Sequence, residues 1–221
     1  MLYSQVLNNS FYLTYVFLIT TGTITFIEAL RTTNPTIRHI MNLETCISIV
    51  AAFFYSLFVQ KIKDSSTIDY TEINTIRYTD WFITTPLMLM VLCSVLGHEK
   101  NMKLYISTYL IILLLDIGMI STGYLGETKV LDKPIAFTLS FACYFLLFAF
   151  IYYKFMYHGK NTFICIFVFY SFIILWSIYG LVYFMDEKIK NTIFNILDLI
   201  AKAIVGLVLW LYFTGIIDFT K

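Results

Sequence analysis

The sequence predicts an all-α membrane protein, a bundle of seven transmembrane helices. Three observations carry this. Of the 221 residues, 59% are apolar and only 13% are charged, and the mean hydropathy is +0.79. The apolar residues fall into seven continuous runs, each near the roughly 20 residues that cross a bilayer core at about 1.5 Å per residue. The charges cluster between those runs. Continuous rather than alternating runs exclude a β-barrel, and their length exceeds that of a buried helix in a soluble domain.

The spans lie at roughly 9–30, 37–60, 75–96, 103–124, 134–156, 162–185 and 191–216. Connections are short, so sequence neighbours should be antiparallel neighbours in space. The whole chain, 1–221, reads as one seven-helix membrane domain. Met1 to Asn9 carries no basic segment, so the first run is read as a span and not as a cleaved leader. Asn8-Asn9-Ser10 matches a glycosylation acceptor but abuts the membrane, and is read as chance. Cys46, Cys93, Cys143 and Cys165 sit inside apolar runs at spacings that suit neither zinc nor a disulfide framework. No metal is expected. A net charge of +1 gives no argument for a nucleic-acid partner.

Orientation follows from the loops. One set holds Arg31, Arg38, Lys100, Lys103, Lys154, Lys160 and Lys221 against Glu99 and Asp218, together with His39, His98 and His158. The other holds six lysines against Asp64, Asp69, Glu72, Glu127, Asp132, Asp186 and Glu187. The first set is net positive and is placed in the cytoplasm, which puts the N-terminus outside.

Polar residues inside the spans mark function, because each is expensive to keep in lipid. Span one carries Ser10, Thr14, Thr21, Thr25 and Glu28 at helical steps, and span two carries Glu44, Ser48 and Tyr55. Threonines in such stripes commonly bond the preceding turn. Span three reads RYTDWFITTPLMLM, with Arg77, Asp80, Thr84 and Thr85 on or near one face. An Arg–Asp pair that only joins helices is one reading of it. Pro86 should bend the helix. Span four carries DIGMISTG, whose Asp116 is read as a buried carboxyl bonded to a neighbouring helix. Span six carries LWSIYG, with Trp176 and Tyr179, the latter within reach of Asp198.

Span seven reads NILDLIAKAIVGLVLW, with Lys202 near its middle. A lysine there costs about 2.5 to 3.5 kcal/mol on insertion scales and is too far from either end to snorkel. Asp198 lies one turn earlier on the same face, so an ion pair is one reading. The other is nucleophilic: a lysine withdrawn from water condenses with aldehydes to form a Schiff base.

Together RYTDW..TTP, DIGMISTG, WSIY and LDLIAK resemble the microbial (type 1) rhodopsins, in the family's order and over all seven spans. The short chain and the replaced cytoplasmic carboxylate are most similar to the rhodopsins of giant algal viruses. The resemblance implies an integral, multi-pass membrane protein, in a host cell membrane if viral, and not an enzyme. It implies all-trans retinal carried by Lys202 as a protonated Schiff base. Asp80 would be the primary counterion and proton acceptor and Asp198 the second carboxylate. Arg77, Thr84, Tyr55 and Tyr179 would complete the counterion complex. Trp81 and Trp176 would sandwich the polyene, with Tyr78, Thr85, Met88, Met119, Gly123, Ser140, Tyr179 and Tyr183 at other pocket positions. Thr85 would bond Asp116.

Departures from the family pattern bear on function. Val91 stands where proton pumps of the family keep a cytoplasmic donor carboxylate. The extracellular carboxylate pair of the archaeal pumps is missing, with Lys188 and Lys190 near those positions. Gly180 replaces a proline. Glu44 offers a substitute at about the depth of Val91, some 16 Å of helix from Tyr55. If spans one, two and seven are adjacent, their stripes form a hydrophilic seam from Ser10 through Asn195 and Asp198 to Glu44. An acid-lined seam favours cations. A light-gated cation channel is therefore expected. An outward proton pump with Glu44 as donor, a photosensor and a non-photic receptor or transporter are the alternatives. Cations or protons and the lipid bilayer are the expected partners, and homo-oligomerisation is left open.

Overall fold

The computed structural model describes residues 2–64, 68–157 and 159–217. His158, Asp218 and Lys221, counted above among the loop charges, lie outside the described residues. Every regular element among the described residues is helical. The helices are α1 (Leu2–Arg31), α2 (Pro35–Asp64), α3 (Tyr70–Glu99), α4 (Ile106–Glu127), α5 (Lys133–Met156), α6 (Phe163–Val182) and α7 (Glu187–Phe213). All seven contain a segment long and apolar enough to cross a membrane, and the protein is an integral, multi-pass membrane protein.

Local chemistry sets the helix ends. The Asn34 side chain accepts from the Thr36 and Ile37 amides at the start of α2, and Asp69 accepts from Thr71 and Glu72 at the start of α3. Each satisfies donors that the first turn leaves free. Thr162 accepts from the Cys165 amide at the start of α6 and donates to Glu99 at 2.9 Å, tying α6 to the end of α3. Lys133-Pro134 opens α5, where the missing proline amide costs nothing. α3 runs on through Pro86.

α7 carries the main irregularity. It is α-helical over Glu187–Asp198, π-helical over Leu199–Ile204 and α-helical again over Val205–Phe213. Single π-turns inside α-helices concentrate at functional sites, and this one contains Lys202. α5 ends in a similar stretch over Tyr152–Met156.

α1 packs along α2 and reaches α7; α3 sits centrally, against α2, α4 and α6. The outer faces display Val16, Phe26, Leu114 and Phe145, as a lipid-facing surface requires. Inside, one apolar cluster fills the space among α2 to α7, reaches Ala29 of α1 and includes Val91. A smaller one joins α1, α2, α3 and α7 through Leu18, Ala51, Ala52, Ile73 and Ala203. Gly22 permits the close contact of α1 and α2, since a Cβ there would lie 3.2 Å from the Cβ of Ser48.

Candidate functional site

Lys202 is 2% exposed. Its Nζ donates to Asp80 Oδ2 at 2.6 Å and lies 3.5 Å from Asp198 Oδ1. The amine therefore faces two carboxylates, one from α3 and one from its own helix. The contact with α3 is the shorter, although only Asp198 lies within one turn of the lysine in sequence.

The two carboxylates are treated differently. Asp198 Oδ2 accepts from Tyr55 at 2.8 Å and from Arg77 at 3.2 Å. Its Oδ1 accepts from Tyr179 at 2.6 Å and from the Trp81 indole at 3.4 Å. Charge-assisted bonds of this kind are the strong ones. Asp80, by contrast, keeps Oδ1 without a hydrogen-bond partner. Thr84 lies beside it, but its hydroxyl donates to the Asp80 backbone carbonyl at 2.9 Å and not to the carboxylate. Burying an unpaired oxygen is costly, so this atom is a natural place for a further donor.

Arg77 is 1% exposed, and its ion pair is with Asp198, not with Asp80 three residues on. One guanidinium nitrogen serves Asp198 and Tyr55, and the other donates to Asn195 at 2.8 Å and Asn191 at 3.1 Å. The group rests over the Phe58 ring, 4.9 Å from its centroid. Packing turns Arg77 toward α7 and α2, which helical spacing within α3 alone does not reveal.

Beyond Lys202 opens a cavity walled by rings. Trp81, Trp176, Tyr78, Tyr179 and Tyr183 line it, with Thr85, Met88, Met119, Gly123 and Ser140. Every pocket position named from sequence reaches this cavity. Ser140 donates to the Met119 carbonyl at 2.8 Å and Tyr183 to the Gly123 carbonyl at 3.0 Å, which holds α4, α5 and α6 together at the far end. Thr85 lies 2.9 Å from Asp116 Oδ2, joining α3 to α4. Phe137, Phe141, Tyr144 and Phe194 also line the cavity and were not expected. The first three lie on α5, which is apolar almost throughout, so no contrast in its sequence singles them out, and Phe194 lies on α7. Gly180, read above as a replaced proline, makes room for Phe141, because a Cβ there would overlap that ring. A long aromatic-walled cavity that ends on one buried amine fits a long conjugated aldehyde attached through that amine.

The expected seam exists in two parts. On the Arg77 side, Asn195 donates to Ser10 at 2.8 Å while its own oxygen accepts from Arg77 and from Tyr55, the latter at 3.2 Å. Thr14 donates to the Asn195 carbonyl at 2.9 Å. On the other side, Glu44 is 3% exposed and its carboxylate lies against α7, where a Cβ on Gly206 would come within 2.8 Å of Oε2. Thr21 donates to the Ala203 carbonyl in the π-helical stretch at 3.3 Å, Thr25 meets Thr45 at 2.9 Å, and the Ser48 hydroxyl has no partner. Between the parts lie the buried apolar Leu18, Ala51, Ala52 and Ala203. Ser10, Asn195 and Asp198 are thus joined through hydrogen bonds, and Glu44 stands apart from them.

One cluster escaped the sequence reading. Lys190, Glu127 and Glu187 were counted as loop charges, yet Lys190 is fully buried. Its Nζ lies 2.6 Å from Glu127 and 2.7 Å from Glu187. Asn74 donates to the same carboxylates, at 2.6 and 2.9 Å. Asn191 donates to Asn74 at 3.2 Å and accepts from Arg77, which links the cluster to the site. A carboxylate pair therefore does occupy this end, built from α4 and α7 and bridged by a lysine. Its only trace in the sequence is the helical step from Asn74 to Arg77 and from Glu187 to Lys190.

Known proteins bear on this arrangement. The family model described as bacteriorhodopsin-like protein matches residues 6–216. The crystal structure of viral rhodopsin OLPVRII superimposes with a TM-score of 0.89 at 44% identity, covering 96% of this chain and 99% of that one. The blue light-absorbing proteorhodopsin from Med12 matches with a TM-score of 0.73 at 21% identity over 92% of this chain and 94% of its own. Acetabularia rhodopsin I gives 0.78 at 19% identity over 96% and 95%. The last two, at such identities, speak to the fold alone. No curated protein sequence matches the chain.

Proposed function

The chain belongs to the bacteriorhodopsin-like family, and from that premise we propose that it is a retinal-binding photoreceptor acting as a light-gated cation channel. The family binds retinal through a Schiff-base lysine. Here Lys202 is the residue that would hold the group, with the aromatic cavity around it. All-trans retinal is the isomer proposed. Bound there, it supplies light absorption and a change of shape at the lysine end of the cavity.

The chain's own residues do the rest. Asp80 and Asp198 hold the positive charge at Lys202 Nζ in a medium where an unpaired cation is costly. Trp81 and Trp176 constrain the cavity so that a change of shape presses on α3 and α6. Arg77 and Tyr55 pass changes in the charge around Asp198 on to Asn195 and Ser10.

One observation carries the channel reading: a polar column from Ser10 to Asp198 and a buried acid at Glu44, separated only by a short apolar layer on α1, α2 and α7. From Ser48 to Tyr55 that gap is about 10 Å of helix. Hydrating it would join the two parts into a path lined by carboxylates and neutral dipoles, a lining that favours cations. Val91, buried among apolar side chains, leaves no acid at the usual donor position on α3. We place the N-terminus outside, on the loop-charge argument. A voltage-clamp record under illumination tests the reading: current should reverse sign with membrane potential and follow the cation gradient.

The 2.6 Å contact of Lys202 with Asp80 favours a second reading. In an outward proton pump Asp80 would take the proton from Nζ and Glu44 would return one from the opposite side. Current that stays outward at every potential, with acidification of the medium, would select the pump.

A further inference from the structure

We propose that Lys190 is a tethered cation that closes the Arg77 end of the pathway, and that light releases it. This rests on the channel reading. The cluster around Lys190 has the make-up of a cation site, with two carboxylates converging on one point and an amide supporting both, but the chain itself supplies the cation. The Lys190 side chain is 1% exposed, while those of its partners grade outward from Glu127, 10% exposed, to Glu187, 39% exposed. The carboxylates therefore reach toward solvent and the ammonium seals the space behind them. A mobile cation entering from this end meets a fixed positive charge where negative charge would otherwise draw it in. A second lysine, Lys133, stands 3.9 Å from Glu127 on the outer side and over the ring of Tyr183. It leaves the clamp close to neutral while Lys190 is in place.

The clamp is connected to the chromophore end without a gap. Lys202 lies beside Asp198, Asp198 holds Arg77, Arg77 donates to Asn191, Asn191 donates to Asn74, and Asn74 donates to both glutamates. Asn74 and Asn191 are neutral and each both donates and accepts, so they carry a change of partner without leaving a charge stranded. When the charge beside Asp198 moves, Arg77 changes its hold on Asn191 and Asn74 shifts from the carboxylates. Lys190 then loses the geometry that makes its burial tolerable, since a buried pair is favourable only while its geometry is good. The ammonium swings outward and the two glutamates are left to line an open mouth.

The first test needs no variant that must survive losing a buried charge. The full chain with retinal, in lipid nanodiscs, is treated with a membrane-impermeant amine reagent in darkness and in continuous light, and labelling is read by peptide mass spectrometry. Lys188, two residues away and exposed, is the internal reference. In darkness Lys190 should react at least about tenfold more slowly than Lys188, and in light its rate should rise about fivefold or more while Lys188 is unchanged, as local opening requires. Equal labelling of Lys190 in dark and light alongside a passive photocurrent overturns the gate. Light-dependent labelling with no passive photocurrent keeps the opening of the clamp and instead sinks the channel reading. The K190Q variant supplies a second readout: photocurrent per pigment should rise about threefold, as removal of a positive charge from a cation path implies. A plain structural staple would leave that current unchanged.

Discussion

The two ends of the polar interior are built on opposite principles. Around Arg77 nearly every buried polar group is committed: the guanidinium serves four partners, Asp198 accepts from four donors, and Lys190 is held by two carboxylates. Around Glu44 the polar groups are small and loosely engaged. Thr25 and Thr45 bond their own preceding turns as well as each other, and the Ser48 hydroxyl has no partner. A saturated network resists change, because moving one member strands the others. An unsaturated one takes up water or a proton at little cost. The Arg77 end is therefore the anchor while the charge beside Asp198 stays in place and yields only when that charge moves, whereas the Glu44 end is the adaptable half. Lys202 stands between them, within 2.6 Å of Asp80, whose second oxygen has no partner.

The largest effect expected is at that junction. Lys202→Ala should abolish the visible absorption band that added retinal produces, and all photocurrent with it. A coloured, reducible adduct in this variant would remove the basis of the contrast. Next comes Arg77→Gln, which removes the guanidinium from the buried Asp198 and leaves it only Lys202, 3.5 Å away, as a cation. Losing one partner of a buried pair costs about 3 to 5 kcal/mol, to be read as a lowered unfolding temperature in lipid or detergent. Tyr55→Phe removes one donor to Asp198 and the contact with Asn195. Arg77 still donates to both acceptors, so a cost of about 1.5 to 3 kcal/mol is expected, that of one hydrogen bond to a charged group.

The other end should respond in function more than in stability. Gly206→Ala puts a methyl 2.8 Å from the Glu44 carboxylate and 3.0 Å from Thr21 Cγ2. Overpacking of this sort costs about 1 to 3 kcal/mol, and the photocurrent should fall while the absorption maximum stays in place. Glu44→Gln, nearly unchanged in shape, should be the mildest for folding, yet it should change the size or ion preference of the photocurrent. If Glu44→Gln destabilises the protein as much as Arg77→Gln, the division into anchor and adaptable half is wrong.

How legible each part was follows from where its contacts lie. The seven spans were readable because lipid demands long apolar helices, and their ends differ from expectation by only a few residues. The aromatic cavity was readable through the family resemblance, which names positions on α3, α4 and α6 and Ser140 on α5, whereas Phe141 looks like any other apolar residue of α5. The π-helical stretch around Lys202 left no mark in the sequence. Lys190 was misassigned because charge near a helix end looks the same whether it meets water or two buried glutamates. The seam was expected to be continuous, and the structure interrupts it with Leu18 and three alanines.

By itself the sequence determined the membrane class, the helix count and the neighbours within each helix, such as Asp198 one turn from Lys202. Those follow from hydrophobic length and the 3.6-residue period, which act along a single chain segment. The family resemblance pointed to Asp80 as the partner of Lys202, but only the tertiary structure decided that Arg77 turns to Asp198 and that Lys190 is sealed between Glu127 and Glu187. Such pairings depend on how each helix is rotated against the next. That rotation is set by the packing of all seven helices together, and no stretch of sequence read alone contains it.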